Sequence, residues 1–375
     1  MSSTPVDRIR VLWLYGPPGV GKTTVAWEIR ARLGEPAAFV DIDQLGMCYP
    51  DRPGDPGRHL LKADALAAVL PGFRQAGART VVVSGVVDPG TGVLTERLPG
   101  ADVTVCRLRA DTDELTRRFT GRRGADPGLV GEVLRDADAH ETAGPAESCV
   151  DTTGLTPGEV ATRVLAGIGT RPPEHGDPPA VLPPARPTGD ERIVWLCGPV
   201  GAGKSTAGFP VYLKALAAGM TAAYVDVDQI GFGPAVPGDR RGHRLKAANL
   251  AALWRVFRAA GARRLVVVGG IEDATAFKTY TERLPGDAIT LARLHAGPAT
   301  LTERIGDRGR GGGWAQPGDP LFGAGERFLR DAAESAAEEA AALEREGIGD
   351  FRVDTDGLTA AEVAEAVAVR SGWPG

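Results

Sequence analysis

Cysteine, lysine and long apolar runs are all scarce in this chain of 375 residues. Its four cysteines, Cys48, Cys106, Cys149 and Cys197, show no C-x-x-C spacing. That excludes the paired-thiol motifs of metal and redox sites and leaves buried thiols in a reduced cytoplasm as the expectation. No stretch approaches the roughly 18 apolar residues of a membrane-spanning helix, and the N-terminus lacks the apolar core of a signal peptide. Lys+Arg 43 against Asp+Glu 48 gives a net charge of −5. With no basic run, this argues against a surface that coats nucleic acid. Lysine is rare beside alanine, glycine, arginine and proline, a composition that names no function by itself.

What is present is a phosphate-binding loop, twice. Gly16-Pro17-Pro18-Gly19-Val20-Gly21-Lys22-Thr23 and Gly198-Pro199-Val200-Gly201-Ala202-Gly203-Lys204-Ser205 both fit G-x-x-x-x-G-K-[ST]. Each follows an apolar run that reads as a buried strand, Val11 to Tyr15 and Ile193 to Cys197, which is the context the motif requires. In such a loop the glycines let backbone N–H groups converge on phosphate, and the lysine neutralises the β/γ oxygens. The hydroxyl of Thr23 or Ser205 is a ligand for Mg²⁺, and the following helix, with Thr24 or Thr206 in its first turn, adds its dipole. ATP and Mg²⁺ are therefore the expected cofactors.

The repeat extends well beyond the loops. Val40-Asp41-Ile42-Asp43-Gln44-Leu45-Gly46 returns as Val225-Asp226-Val227-Asp228-Gln229-Ile230-Gly231, and Thr95 to Gly100 recurs unchanged at Thr281 to Gly286. Asp151-Thr152-Thr153-Gly154-Leu155-Thr156 is echoed by Asp354-Thr355-Asp356-Gly357-Leu358-Thr359. The spacing between corresponding residues grows along the chain, so the second copy carries insertions. We read two homologous domains, 1–169 and 191–375, each long enough for its own core. Between them, 170–190 is dense in proline, which favours an extended spacer and also fits a partner-docking segment. Pairing of the two domains within the chain is a further expectation.

Strands and helices alternate in each copy, so the expected fold class is α/β, a parallel sheet covered by helices on both faces. In the first copy the pattern predicts strands at 10–15, 37–41, 79–84, 102–107 and 147–150. It predicts helices at 22–33, 59–76, 111–121, 128–142 and 157–166. In the second, 325–345 reads as a long helix, and Pro210 should kink the helix after Lys204. Ligands bind beyond the C-terminal ends of such strands, which puts the loop, Asp41, Asp43, Ser84 and Asp151 on one rim.

The Asp-x-Asp pairs are the next candidates. If the strand continued through both, Asp41 and Asp43 would share a face. Asp41 or Asp226 would then hold a magnesium-bound water while Asp43 or Asp228 takes the proton of an acceptor hydroxyl. The competing role for Asp43 is a helix cap. Leu115-x-x-Arg118-x-x-x-Arg122 and Leu301-x-x-Arg304-x-x-x-Arg308 each put two arginines on one helix face leading into a Gly/Arg-rich loop. Such cations can close over a triphosphate, or form a solvated face. On the acceptor side, His59/Lys62 and His243/Lys246 lie at i, i+3. They suit an anionic or polyhydroxylated small molecule, or simply a helix start.

Together these features resemble the small-molecule P-loop kinases, the adenylylsulfate kinase, gluconate kinase and chloramphenicol phosphotransferase relatives of the nucleotide-kinase-like group. The resemblance covers each domain nearly end to end. It implies the general-base or acceptor-anchoring place for Asp43 and Asp228, and lid places for Arg118, Arg122, Arg304 and Arg308. It also implies a position beside adenine for Asp151-Thr152 and Asp354-Thr355. One departure is that the third strand ends in Ser84-Gly85 or Val268-Gly269 where many P-loop ATPases keep an acid. That speaks against a motor-type ATPase. Two function classes stay open, an ATP-dependent phosphotransferase and a nucleotide-binding regulatory ATPase with no small-molecule acceptor. A third possibility is a toxin-like kinase acting on a nucleotide sugar.

Overall fold

The structure, a computed structural model, describes residues 6–121, 126–144, 148–167, 175–176, 189–284, 286, 288–313 and 318–375. Most of the proline-rich stretch, and Arg122 of the first lid motif, lie outside the described residues. The chain forms two units. Unit 1 takes Met1–Gly46, Pro53–Leu182 and Phe232–Arg240; unit 2 takes Met47–Arg52, Pro183–Gly231 and Arg241–Gly375. Each unit thus includes one short segment from the stretch of sequence that otherwise builds its counterpart.

In chain order the first half runs β1 (Val6–Asp7), β2 (Ile9–Tyr15), α1 (Lys22–Arg32), β3 (Ala37–Asp41), α2 (Ile42–Leu45) and β4 (Cys48–Tyr49). It continues with α3 (His59–Gln75), β5 (Thr80–Ser84), β6 (Ala101–Arg109), α4 (Thr112–Thr120), α5 (Val130–Thr142), β7 (Cys149–Asp151), α6 (Pro157–Gly167) and β8 (His175–Gly176). Unit 1 is built on a five-stranded sheet of order β3-β5-β2-β6-β7, parallel throughout. Its strands read as continuous apolar runs because helices cover both faces; Val81, Val82 and Val83 are fully buried. One core joins Leu12, Leu14, Val25, Ile29, Phe39 and Val82.

The second half runs β9 (Arg192–Cys197), α7 (Lys204–Ala217), β10 (Ala222–Asp226), α8 (His243–Ala259), β11 (Arg264–Val268) and α9 (Ala274–Thr281). Then come β12 (Ala288–His295), α10 (Pro298–Gly309), α11 (Glu326–Arg345), β13 (Phe351–Asp354) and α12 (Ala360–Ser371). The unit 2 sheet has the order β13-β12-β9-β11-β10-β4. It is parallel except for β4, which pairs antiparallel with β10 at Tyr49 opposite Ala222 and Cys48 opposite Ala223.

Local signals account for several element ends. Asp111 caps α4 by accepting from the Glu114 N–H at 2.7 Å, and Thr359 with Glu362 forms a capping box at α12. Pro210 does not break its helix, since α7 runs from Lys204 to Ala217. The carbonyl that loses a partner there is that of Thr206, four residues back in the exposed first turn, where water can supply the missing bond. Pro71 is likewise carried inside an unbroken helix, α3. None of the four cysteines forms a disulfide; Cys48, Cys106 and Cys197 are buried, but Cys149 is exposed. Among the described residues no helix is long and apolar enough to cross a membrane.

Candidate functional site

In each unit the phosphate loop joins the central strand to the helix behind it: β2 to α1, and β9 to α7. These strands are where the sheet order reverses, with β5 and β6 on either side of β2 and β11 and β12 on either side of β9. That is the crevice in which open α/β sheets bind ligands. The loop must pass so close to the next strand that only glycine fits. A Cβ on Gly16 would collide with the Leu108 carbonyl, and one on Gly198 with that of Leu294. Gly19, Gly21, Gly201 and Gly203 all have positive φ, as expected for a concave nest of N–H groups. Lys22 Nζ folds over the loop and donates to the carbonyls of Gly16 at 2.6 Å and Pro17 at 3.0 Å. Lys204 does the same to Pro199 at 2.8 Å. These carbonyl contacts hold each ammonium at the mouth of its nest. Thr24 and Thr206 follow as exposed residues of the first helical turn.

The acid pairs are arranged differently from a shared strand face. Strand β3 ends at Asp41, whose carboxylate accepts from the Asp43 N–H at 3.0 Å and so caps the short α2. Asp226 accepts from the Asp228 N–H at 3.0 Å in the same way. The capping role thus belongs to Asp41, while Asp226 makes the same bond across a turn at 227–230, and the second acid of each pair is turned off the strand. Burial and the neighbouring Asp43 push the Asp41 pKa up to about 6, and burial with Asp228 does the same for Asp226. Ser205 Oγ donates to Asp226 at 3.0 Å, while Thr23 Oγ1 lies 3.4 Å from Ser84 Oγ.

The second acids meet lysines. Lys62 Nζ lies 2.7 Å from Asp43 Oδ1, and Lys246 Nζ lies 2.6 Å from Asp228 Oδ1. The Lys62 stem is buried and lies across Gly46, where a Cβ would strike its methylenes; Lys246 lies across Gly231 likewise. Burial alone would raise the Asp228 pKa, but Lys246 brings it below the ordinary carboxylate value. The i, i+3 histidines diverge from these lysines. His243 places its ring nitrogens 2.8 Å from Tyr280 Oη and from the Glu272 carboxylate. His59 has its pKa lowered by burial and by Lys62.

The arginines expected to form a lid sit on backbone. Arg118 donates to the Val20 carbonyl at 3.3 Å, to Thr152 Oγ1 at 3.0 Å and to the Thr152 carbonyl at 2.9 Å. Arg304 repeats this with Gly201 at 3.2 Å and with Thr355 Oγ1 and O at 2.9 Å. Each therefore ties the phosphate loop to the late Asp-Thr segment. Arg308 pairs with Asp319 at 2.5 Å. In that late segment the threonines face the loop, and the acids do not. Asp151 pairs with Arg109 at 2.8 Å, and Asp354 pairs with Arg352.

Two residue sets were absent from the sequence expectations. Gly85 and Gly269 close the third strand because a Cβ there would collide with Ile42 or Val227, the residue between the two acids. Their recurrence in both copies was the available signal. Glu114, at 2.8 Å from Arg118, orients that arginine and carried no such signal.

Among the described residues no group of three or more His, Cys, Asp or Glu gathers as a metal cage. The hydroxyl and carboxylate oxygens of Thr23, Asp41, Ser205 and Asp226 are hard donors. One or two such groups suit Mg²⁺, which keeps its waters and takes its other ligands from phosphate.

The arrangement defines a P-loop α/β fold. The chain is similar to a sugar kinase from Janibacter sp. (22% identity, 42% of this chain and 93% of that one, TM-score 0.33). It is also similar to the Mycobacterium tuberculosis APS kinase solved with AMPPNP and APS (20%, 48% and 98%, TM-score 0.34). A third is the Acinetobacter baumannii shikimate kinase solved with shikimate (16%, 49% and 96%, TM-score 0.32). No protein-family model matches the chain, and no curated protein does.

Proposed function

We propose that this protein is an ATP-dependent phosphotransferase that moves the γ-phosphoryl group to a hydroxyl of a small molecule, nucleoside or nucleotide. The observation that carries the reading is the ion pair Asp43–Lys62, repeated as Asp228–Lys246, just beyond the strand acid and on the same rim as the loop. A hydrolase needs an acid that orders water, and the third strand ends without one in both units. A carboxylate held beside an ammonium is instead suited to accept the proton of an incoming hydroxyl and keep that oxygen aimed. Lys22 and Lys204 meet the phosphate oxygens, the loop N–H groups bind them, and Arg118 and Arg304 fix the loop against the nucleoside side. Mg²⁺, held through Thr23 with Asp41 or Ser205 with Asp226, would neutralise charge on the triphosphate.

The test is incubation of the full chain with γ-labelled ATP and a pooled small-molecule extract. Label in a small molecule is the expected result. Label released only as inorganic phosphate supports the second reading, a regulatory ATPase. One feature of unit 2 favours that reading for its own site: Arg241 is bound to Glu339 at 3.0 Å and to Glu272 at 3.6 Å, so acceptor-side charge there is already neutralised internally.

A further inference from the structure

Residue 47 follows the motif Asp41-Ile42-Asp43-Gln44-Leu45-Gly46, and residue 232 follows its repeat. These equivalent positions are where the chain passes into the other unit. In unit 1, the Phe39 N–H donates to the Phe232 carbonyl at 2.8 Å. The Phe232 ring lies 4.8 Å from Trp27 and 6.0 Å from Phe39, centroid to centroid. In unit 2, the Tyr224 N–H donates to the Met47 carbonyl at 2.9 Å, and Met47 packs into the core that Phe209 and Tyr224 also join. Trp27 and Phe209 occupy the same place on the helices that begin with Lys22 and Lys204. Phe39 and Tyr224 each stand two residues before the strand acid, Asp41 or Asp226.

We propose that Phe232 and Met47 are reciprocal positioning residues. Each braces the phosphate-loop helix against the acid-bearing strand of the unit to which the rest of its own repeat does not belong. The inference rests on the reading of these loops as MgATP sites. The spacing at stake is that between Thr23 and Asp41 in unit 1, and between Ser205 and Asp226 in unit 2. A large ring or thioether wedged beneath helix and strand sets that spacing; an alanine leaves them to collapse toward each other or drift apart.

The experiment uses the full chain in two backgrounds, Lys204→Ala, which leaves the unit 1 loop, and Lys22→Ala, which leaves the unit 2 loop. AMPPNP affinity is measured with and without Mg²⁺. Phe232→Ala in the Lys204→Ala background should reduce the Mg²⁺-dependent gain about tenfold, the scale expected of a small misplacement of binding groups. It should leave Mg²⁺-free affinity near the parent, and Phe232→Leu should restore part of the gain. In the Lys22→Ala background Phe232→Ala should change little, and Met47→Ala should show the mirror pattern. Hydrogen exchange, which needs no nucleotide, provides an independent reading. Phe232→Ala should speed exchange in α1 and leave α7 as it was. A Phe232→Ala effect confined to unit 2, or equal in both units, or no effect on α1 exchange, overturns the proposal. Should Phe232→Ala fail to fold, Phe232→Leu carries the same exchange test with a smaller expected change.

Discussion

Units 1 and 2 share the phosphate-loop side of the candidate site and differ on the side that the proposed function gives to an acceptor. Loop, strand acid, acid–lysine pair and lid arginine recur with nearly the same contacts. The approach to the third helix does not. In unit 1 the residue before α3 is Arg58, with φ 61°, the one described non-glycine residue in the left-handed region. Its Nε donates to the Gly46 carbonyl at 2.9 Å. Unit 2 fills that position with Gly242, φ 69°, and moves the cation one residue back to Arg241, among carboxylates. Unit 2 also adds α9, whose Tyr280 packs on Trp195 at 4.7 Å and reaches His243. In unit 1 the corresponding stretch is a turn closed by the Asp88–Gly92 bridge. Under the proposed function the triphosphate is a constant ligand and selects constant geometry. An acceptor is not, so divergence gathers around His59 and His243.

The largest expected effect tests whether the shared side performs the same chemistry. In a Lys204→Ala background, Asp43→Asn should reduce phosphoryl transfer by about 10²–10⁴-fold while ATP affinity stays near the parent. Asparagine can still accept from Lys62, so parental transfer rates in this variant would remove Asp43 as the base. Next in size, Lys22→Ala and Lys204→Ala should each weaken triphosphate binding at their own loop by about 10–100-fold, the scale of a lost charge-assisted contact. Adenosine binding should not change, and titration calorimetry of both ligands checks this. Equal losses would show that the two loops still share one task, and a silent Lys204→Ala would mark unit 2 as diverged there too.

Gly85→Ala and Gly269→Ala put a methyl into Ile42 and Val227, at φ 149° and 159°. Each should cost about 1–3 kcal/mol, measured by denaturant unfolding, as overpacking does. The smallest effect sharpens the acceptor-side difference. Burial would raise the Glu272 pKa, but His243 and Arg241 bring it below its ordinary 4.5. Its stabilising contribution is therefore complete above 4.5 and is lost as the pH falls through the lower folded value. Glu272→Gln should lower stability by about 1 kcal/mol at pH 7, and the deficit should shrink below pH 4. A deficit that is the same at both pH values would mean that His243 and Arg241 gain nothing from the charge.

Much of the secondary structure was legible because it is local. The alternating strand and helix pattern placed the strand at 37–41 to the residue and the helix expected at 59–76 within one residue of α3. What failed to read were effects of chain ends and distance. The face-sharing expectation for Asp41 and Asp43 assumed a strand that Asp41 itself terminates by capping. The arginine spacing placed Arg118 and Arg304 on helices, α4 and α10, but could not say that carbonyls of Val20 and Gly201 would occupy them. Of six lysines in the chain, Lys22, Lys62, Lys204, Lys214, Lys246 and Lys278, four sit in the two candidate sites. Scarcity was visible, and its meaning required the Asp43–Lys62 contact. The two-residue strand at Cys48 is too short for any period, and its partner lies far along the sequence.

That short strand also bears on solubility. β10 carries its sheet's outer ladder, and β4 covers it at Ala222 and Ala223; the Phe232 carbonyl takes the N–H of Phe39 on the outermost strand of the other sheet. An uncovered outer strand is a template for adding a strand from another molecule. A gene encoding one repeat alone would express a protein with just such a margin and with a loose segment shaped to fit it. Either half expressed alone should therefore pair or aggregate, so the margin of each sheet stays soluble only while both halves share one polypeptide.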